Sequence, residues 1–369
     1  MNEWYLISNI HEVDSPALVI YPDRVKKNIE LLRSMIDDVS RLRPHVKTHK
    51  TREAVLLQMD AGIKKFKCAT IAEAEMLGSI NAPDVLLAYQ PVGPKADRFI
   101  SLIKKYPATK FSCLVDDAEA AKSIAAKATN AGIVIPVFID LNVGMNRTGI
   151  APDHRAVDLC KLCSQLKGIK PVGLHAYDGH IHDKELEVRK NRSDEAFTLV
   201  ENLKAELIKA GFSSQVIIAG GSPTFPVHAK RKDIECSPGT FIYWDAGYQQ
   251  GLHEQPFLPA ALVISRVISH PSENLLCTDL GHKSIAAEKD LDHRVRFLNA
   301  PEIEFVGQSE EHLVIKTDQA NHYKVGDVLY GLPYHICPTC ALYERALTVE
   351  DGKVIGEWKI VARDRKISL

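Results

Sequence analysis

The sequence predicts an α/β fold: a (β/α)8 barrel of the TIM type, followed by a C-terminal β-rich domain. Between residues 41 and 237, short β-rich runs alternate with helix-like stretches, which is typical of right-handed βαβ units and a parallel sheet. There are eight such runs, which fits a closed barrel with a usual length of about 250 residues. After about residue 250, helical periodicity gives way to short strands and turns.

The barrel elements are predicted from runs of β-branched and apolar residues, most of them separated by a helical pattern. An open, doubly wound sheet is the competing fold. It would be expected to carry a glycine-rich dinucleotide turn after its first strand, and the sequence has none there. The predicted strands lie near 41–46, 64–69, 84–88, 110–114, 135–140, 171–176, 215–219 and 234–237, and the predicted helices cover 70–79, 117–131, 152–166 and 184–210.

Two further elements precede the barrel, and several short strands follow it. Residues 14–21 form a short β-rich run, and a helix is predicted from 22 to about 36 because apolar residues recur along one face. We therefore predict a barrel domain over 14–250 and a β-rich domain over 251–369, with residues 1–21 a candidate part of the second domain. The strand patterns of that domain lie at 257–269, 302–306, 312–316 and 353–361.

The composition is that of an ordinary globular protein, with 369 residues, 45% apolar and 25% charged. The formal net charge of −1 gives no overall field that would recruit nucleic acid or an anionic membrane. No apolar run is long enough to span a bilayer, and no export signal is visible at the start. The eight cysteines are therefore expected to be reduced thiols, and a cytoplasmic location follows as the default.

Residues 41–50, RLRPHVKTHK, include six that are Arg, Lys or His. Lys47 falls where the first barrel strand would give way to a loop, the edge at which barrel enzymes perform their chemistry. The positive charge would attract an anionic cofactor, and a lysine amine can form a Schiff base with an aldehyde. On charge alone, the simpler interpretation is a solvated basic loop.

Two loops near the end of the predicted barrel could bind a phosphate group. Residues 219–225, AGGSPTF, follow the seventh strand, and adjacent glycines let backbone N–H groups approach an anion while Ser222 and Thr224 donate hydroxyl hydrogen bonds. Residues 236–240, CSPGT, follow the eighth strand. Barrel phosphate sites often use these two loops. The alternative for the first loop is a plain strand–helix turn with a serine cap.

Other polar side chains follow predicted barrel strands. Arg147 lies in a glycine-containing run after the fifth strand, Tyr177 and His180 follow the sixth, and Gln90 follows the third. Residues after barrel strands lie at the edge where barrel enzymes perform their chemistry, and two histidines, His175 and His180, after one strand are suggestive. The alternatives are a surface arginine after a glycine turn and a histidine with a structural role.

The run 334–340, YHICPTC, contains a candidate metal site in the β-rich domain. Imidazole and thiolate suit Zn²⁺, and residues two apart on a strand face the same side, so His335 and Cys337 could reach one ion. Two protein ligands leave positions for water or substrate, which fits a catalytic ion. The Cys337-x-x-Cys340 spacing also suggests a zinc ribbon or redox pair, but no second ligand pair at ribbon spacing supports this.

The run 43–50, RPHVKTHK, resembles the pyridoxal-phosphate (PLP) lysine motif of D-threonine aldolases and D-serine dehydratases, which belong to the alanine-racemase-like group. The resemblance extends over nearly the whole chain in the same order. It implies a barrel followed by a β domain, a homodimer, and a PLP cofactor attached to Lys47, the catalytic lysine. The His-x-Cys-Pro-Thr match implies a divalent metal, Zn²⁺ or Mn²⁺, on His335 and Cys337.

The same resemblance assigns residues around the cofactor. It implies a contact between Arg147 and the cofactor's phenolic oxygen, with Tyr177 against the pyridine ring. Gln90 and His180 are expected to line the substrate pocket. The full set of expected cofactor-binding residues is Lys47, His45, Arg147, Tyr177, Gly221, Ser222, Thr224, Gly239 and Thr240.

The predicted function is that of a PLP-dependent, metal-assisted lyase acting on D-3-hydroxy amino acids, of the D-threonine aldolase or D-serine dehydratase type. The alternatives are an amino-acid racemase and a non-catalytic PLP-binding protein. Two departures from alanine racemases argue against a racemase: Ser237 replaces the arginine that faces the pyridine nitrogen, and the run 279–283 lacks the tyrosine base. The β domain and the His-x-Cys pair argue against a simple carrier.

Overall fold

A computed structural model describes residues 3–212 and 216–369 of the chain. The predicted strand at 215–219 therefore begins at a residue outside the described part. In these residues the helices are α1 (Pro22–Ser34), α2 (Arg52–Asp60), α3 (Ile71–Ser79), α4 (Pro94–Lys105), α5 (Ala118–Asn130), α6 (His154–Gln165), α7 (Leu186–Lys209), α8 (Phe225–His228), α9 (Ala246–Gly251) and α10 (Ile336–Leu342).

The strands fall into an early group and a late group along the chain. The early strands are β1 (Ala17–Ile20), β2 (Lys65–Cys68), β3 (Asp84–Leu87), β4 (Lys110–Val115), β5 (Ile135–Leu141), β6 (Ile169–Ala176), β7 (Val216–Ala219) and β8 (Ile234–Cys236). The late strands are β9 (Ala261–Ser272), β10 (Leu275–Thr278), β11 (Val295–Phe297), β12 (Glu304–Gln308), β13 (Leu313–Lys316), β14 (Val328–Pro333), β15 (Arg345–Glu350) and β16 (Lys353–Lys359).

The chain forms two compact units, and neither is continuous in sequence. The unit that contains the late strands, called the β unit, also takes in the start of the chain and a short segment after Lys47. The predicted domain border at 250/251 differs from the division of these units, which falls at 239/240. The β unit comprises the residues up to Leu31, Thr48–Ala54 and Thr240–Arg363; the barrel unit comprises Leu32–Lys47, Val55–Gly239 and Asp364–Leu369.

The barrel unit is built on a parallel sheet in which β2 to β8 pair in sequence order. The segment before Lys47 pairs with both of its edges, because Leu42 bridges to Cys236 and His45 bridges to Lys67. The Lys67 N–H donates to the Pro44 carbonyl at 2.8 Å, while Pro44 has no N–H to return. The predicted first strand is therefore present as single bridges, and the predicted barrel fold is confirmed.

Local sequence signals place the helices that follow the barrel strands. The Thr70 hydroxyl accepts the Glu73 N–H at 3.0 Å at the start of α3. Asp117 and Asp153 cap α5 and α6 in the same way, through the amides of Ala120 and Arg155. Each such cap is worth about 0.5–2 kcal/mol. These starts agree with the predicted helices at 70–79, 117–131 and 152–166.

The barrel interior contains an apolar layer and a layer of paired charges. The apolar layer is formed by Leu86, Leu114, Phe138 and Ile218. In the charged layer, the Arg43 side chain is 2% exposed, and its guanidinium donates to Asp84 at 2.6 Å and to Glu235 at 2.7 Å. Since a buried charge without a partner is costly, both carboxylates are needed to hold the Arg43 side chain.

The sheet of the β unit includes the early strand β1. Its order is β12-β13-β10-β9-β1-β15-β16, with β14 pairing both β9 and β11. Val19 of β1 lies opposite Leu262 in an antiparallel pair and opposite Leu347 in a parallel pair. The strand β1, which lies within the predicted run at 14–21, thus belongs to the β sheet. In the described residues, no helix has both the length and the apolar character needed to cross a membrane.

We expect Arg43→Met to lower the free energy of unfolding by about 1–3 kcal/mol, because Asp84 and Glu235 would lose a shared, buried partner and keep their ion pairs with Lys110 and Lys65. Urea denaturation of the apoprotein measures this loss. The matched control is Arg33→Met at an exposed position of α1, expected to change stability by less than about 0.5 kcal/mol. Equal losses in the two variants would contradict a structural role for the buried charge layer.

Candidate active site

Three cationic side chains converge on the ring of Tyr177 in the barrel unit. The Lys47 amine lies 5.8 Å from the ring centroid, the Arg147 guanidinium carbon 5.0 Å, and the Lys67 amine 5.6 Å. Lys47, Arg147 and Tyr177 were all predicted from the sequence as members of one pocket, and the structure brings them together. Lys67 was not predicted; a lysine within a mostly buried strand was the signal available.

His45 supports the backbone at Lys47, the predicted catalytic lysine. Its Nδ1 atom accepts the backbone N–H of Lys47 at 3.3 Å, so the imidazole orients the chain where it leaves the barrel. The structure thus gives His45 a contact with the backbone of Lys47, while its predicted contact with a cofactor stays a prediction.

The two loops predicted to form a phosphate cradle are joined by Ser222. The Gly239 N–H donates to the Ser222 hydroxyl at 3.1 Å, which ties the loop after β8 to the loop after β7. The Gly221 N–H donates to the Thr224 hydroxyl at 3.3 Å. Gly220 has φ +75°, and a Cβ there would lie 2.6 Å from the His228 ring. The tight loop therefore requires glycine at this position.

Asp178 connects the cradle to the Tyr177 loop, a role that the sequence analysis missed. The Thr224 hydroxyl donates to its Oδ1 at 2.8 Å, and His228 Nε2 lies 2.8 Å from its Oδ2. Burial favours the neutral carboxyl, but His228 and Thr224 outweigh it and hold the pKa of Asp178 below its ordinary value. Asp178 therefore fixes the cradle and the aromatic ring relative to each other.

The two predicted substrate-binding residues have different surroundings. The Gln90 carbonyl oxygen accepts the backbone N–H of Asp116 at 3.0 Å, so part of this side chain holds the loop after β4. His180 has a buried Nδ1 atom without a hydrogen-bond partner among the described residues. A buried polar atom normally has a partner, so His180 fits a group supplied by a bound molecule.

The predicted metal ligands lie in the β unit. The Cys337 thiol is 3.2 Å from the Thr48 hydroxyl and 3.6 Å from the Thr240 hydroxyl. Thr240 was predicted to bind the cofactor, and within this unit its hydroxyl lies beside the thiol. His335 Nδ1 makes a short hydrogen bond to a carboxylate oxygen of Glu288. Nothing in the local sequence pointed to Glu288, which lies 47 residues from His335.

The predicted strand geometry of the metal pair is wrong. β14 ends at Pro333, and His335 is the N-cap of α10, so Cys337 lies in the first turn of a helix. Asp245 fixes this start, because its Oδ2 accepts the Ile336 N–H at 3.1 Å. The two predicted ligands are still close, since the imidazole of His335 and the sulfur of Cys337 share a side-chain hydrogen bond.

The charge state of His335 follows from its neighbours. Burial disfavours the charged imidazolium, but Cys337 and Glu288 outweigh it and raise the pKa of His335 to about 9. Because a metal ligand must be deprotonated, an ion bound here would displace that proton. Glu288 would hold Nδ1 and leave Nε2 for the ion, the usual carboxylate–histidine–metal arrangement.

The residues present fit both groups that the sequence implies. For PLP, the buried Ser237 hydroxyl has no partner within the described part of the chain, so it can meet a polar atom of a bound ring. For a metal, the imidazole and thiolate are suitable donors. In residues 3–212 and 216–369 no group of three His, Cys, Asp or Glu could hold an ion, so further ligands would be water or substrate.

Family models cover most of the chain. Residues 20–246 match the alanine racemase N-terminal domain, and residues 260–349 match the putative serine dehydratase domain. The chain therefore belongs to the alanine racemase N-terminal domain family. The second match lies in the β unit and includes the His335–Cys337 pair.

Relatives that match nearly the whole chain carry names of enzymes that act on D-amino acids. A D-threonine aldolase of Arthrobacter sp. is 27% identical over 95% of this chain and 93% of its own. A 3-hydroxy-D-aspartate aldolase of Paracoccus denitrificans (strain Pd 1222) is 26% identical over 96% and 93%. The crystal structure of a D-threonine aldolase from Filomicrobium marinum matches with a TM-score of 0.86 and 25% identity, covering 95% of each chain. The predicted resemblance is confirmed.

We expect Glu288→Gln to weaken Zn²⁺ binding about 10- to 100-fold, because an amide holds the His335 imidazole less firmly than a carboxylate. Competition with a chromophoric chelator measures the affinity of the metal-free protein. Glu273→Gln, at an exposed position of the turn after β9, is the matched control and should bind as the wild type does. Equal affinities in all three proteins would show that Glu288 does not support the ligand.

Proposed function

We propose that this protein is a PLP-dependent lyase that acts on D-3-hydroxy amino acids with the help of a divalent metal, Zn²⁺ or Mn²⁺. The observation that carries the proposal is the presence in one chain of the Lys47–Arg147–Tyr177 cluster and the His335–Cys337 pair. The first set suits an anionic aldehyde cofactor, and the second suits a metal that binds oxygen.

The names of the relatives support the substrate class. They include aldolases of D-threonine and 3-hydroxy-D-aspartate, and a D-serine dehydratase from Saccharomyces cerevisiae that is 21% identical over 95% of this chain. Each named substrate is a D-amino acid with a hydroxyl group on Cβ. A metal ion held by His335 and Cys337 could bind that hydroxyl, because two protein ligands leave coordination positions open on the ion.

The side chains of the barrel unit have distinct tasks in this proposal. Lys47 supplies the amine that binds the cofactor aldehyde, Arg147 lies beside Tyr177 to meet an anionic oxygen, and Ser222 and Thr224 shape the loop for the phosphate. When bound, PLP supplies an electron sink for the electron pair left at Cα, and the metal supplies a Lewis acid.

The position of the base decides between two reactions. If the Lys47 amine takes the proton from Cα, hydroxide leaves from Cβ, and D-serine gives pyruvate and ammonia after hydrolysis. If a base takes the proton of the β-hydroxyl, the Cα–Cβ bond breaks, and D-threonine gives glycine and acetaldehyde. We favour aldol cleavage, since two relatives named aldolases have sequence identities of 27% and 26% to this chain, higher than the 21% of the D-serine dehydratase.

A racemase is the weaker alternative because the run 279–283, where racemases supply a second base, has a structural role. The Asp279 carboxylate accepts hydrogen bonds from the Ser265 hydroxyl and the Arg266 N–H, both at 2.8 Å. It thereby connects β9 to the end of β10 within the sheet. A homodimer and a cytoplasmic location stay predictions.

One assay series tests the proposed function. Purified protein receives PLP, Zn²⁺ or Mn²⁺, and D-threonine, D-allo-threonine or D-serine, and the products are identified. We expect acetaldehyde or pyruvate, and a visible Schiff-base band that Lys47→Ala abolishes. Exchange of the α proton without either product would favour a racemase, and no turnover on any substrate would favour a PLP carrier.

The metal requirement is tested separately from cofactor loading. We expect His335→Ala to retain the Schiff-base band but lose most of the lyase activity, since the β-oxygen would lack its Lewis acid. His322→Ala, at an exposed position of the same unit, is the control and should keep both. Full activity after thorough chelation would refute the role of the metal.

A further inference from the structure

Lys67 is a buried amine that the proposed reaction does not use. Its side chain lies on β2, is 2% exposed, and places its amine 3.4 Å from His175 Nε2. His175 Nδ1 in turn lies 2.6 Å from the carboxylate of Asp140. These two hydrogen bonds are consistent with one tautomer of His175. The Lys67 amine donates to Nε2, and the Nδ1–H of His175 donates to the Asp140 carboxylate. A lysine this buried is rare in proteins without such a partner.

The surroundings of Lys67 weaken its hold on a proton. Burial is the largest cause, the nearby charge of Lys47 adds to it, and together they lower the pKa of Lys67 to about 7. Both protonation states are therefore populated near neutral pH. Burial also lowers the pKa of His175, so its imidazole is neutral in this range. The titratable and charged groups that face the Lys67 amine are Lys47, His175, Asp140, Asp178 and Arg43.

The position of Lys67 relates it to the cofactor pocket. Its amine is as close to the Tyr177 ring as the amine of Lys47 is, at 5.6 Å and 5.8 Å. Before an anion arrives, a charged Lys67 would be repelled by Lys47. An anionic ring system bound at Lys47 removes one positive charge and brings a negative one, so the charged form of Lys67 becomes favourable.

We propose that Lys67 is a positioning residue for the cofactor, which takes up a proton as PLP binds and then provides a second positive charge beside Arg147. The inference rests on the proposed function, since it requires PLP to bind at Lys47. The His175–Asp140 pair holds the Lys67 amine against the ring side of the pocket. Lys67 thereby strengthens binding of the anionic cofactor without forming a bond to it.

The sign of the pH dependence follows from linkage. Suppose that the pKa of a group is higher in the complex than in the free protein. Binding is then weakened as the pH rises above the pKa of the free protein, because the group must take up a proton to bind. For Lys67 the lower value is about 7, so its contribution should decrease above pH 7. The limiting slope for one coupled proton is about tenfold in affinity per pH unit.

The experiment measures the apparent Kd of PLP for the apoprotein from pH 6 to 9, using the Schiff-base absorbance. Lys67→Met should bind PLP at least about tenfold more weakly at pH 6 and show a flatter dependence on pH. Lys67→Arg keeps a permanent charge and should retain tight binding at high pH. Lys64→Met, an exposed position just before β2, is the matched control and should follow the wild type.

The outcomes separate this inference from the proposed function. A wild-type pH profile in Lys67→Met would overturn the inference, while the absence of a Schiff-base band in the wild type would overturn the proposed function. Borohydride reduction and peptide mapping should place the adduct on Lys47, and an adduct on Lys67 would contradict a positioning role.

A measurement on the wild type alone serves if the variants do not fold. Calorimetric titration with PLP in two buffers of different ionisation enthalpy counts the protons bound. We expect proton uptake to be larger at pH 8 than at pH 6, by up to about one proton per chain. Equal uptake at both values would overturn the inference.

Discussion

The barrel unit depends on the pairing of the segment before Lys47 with two strands at once. Leu42 bridges to β8 and His45 bridges to β2, and this closes the parallel sheet. The Lys67 N–H donates to the Pro44 carbonyl at 2.8 Å. The contact that closes the barrel therefore also fixes the position of Lys67 along β2 relative to the segment before Lys47. Lys47 follows directly, where the segment leaves the sheet. The contacts that close the barrel therefore also place the Lys47 amine.

Charge is organised differently at successive levels of the barrel interior. In one layer, the Arg43 charge is paired with the carboxylates of Asp84 and Glu235. This pairing stabilises the fold and leaves no uncompensated charge on Arg43 for a ligand. At the Tyr177 ring, the side chains of Lys47, Arg147 and Lys67 converge. Their positive charges are less completely balanced by carboxylates than the charge of Arg43 is. The apolar layer of Leu86, Leu114, Phe138 and Ile218 belongs to the same interior. An excess of positive charge at one site is what an anionic cofactor would neutralise.

The β unit shows how the candidate metal-ligand pair, His335 and Cys337, is supported by groups far away in sequence. Asp245 holds the N-terminus of α10 through the Ile336 amide, and Glu288 holds the imidazole of His335. The thiol of Cys337 lies within 3.6 Å of the Thr240 hydroxyl. His335 is the N-cap and Cys337 is in the first helical turn, so backbone geometry, rather than strand alternation, brings the imidazole and the thiol together.

The sequence by itself determined the class of fold and the family resemblance, and it singled out Lys47 as the candidate catalytic lysine. The signals for these features are local: alternating runs, capping residues such as Thr70 and Asp117, and the RPHVKTHK segment. Each can be recognised because its residues are close together in the sequence. The tertiary structure decided what depends on distant contacts. Lys67 meets His175 across 108 residues, and Glu288 meets His335 across 47. No spacing rule connects such partners, because only the packing of strands and loops brings them within hydrogen-bond distance.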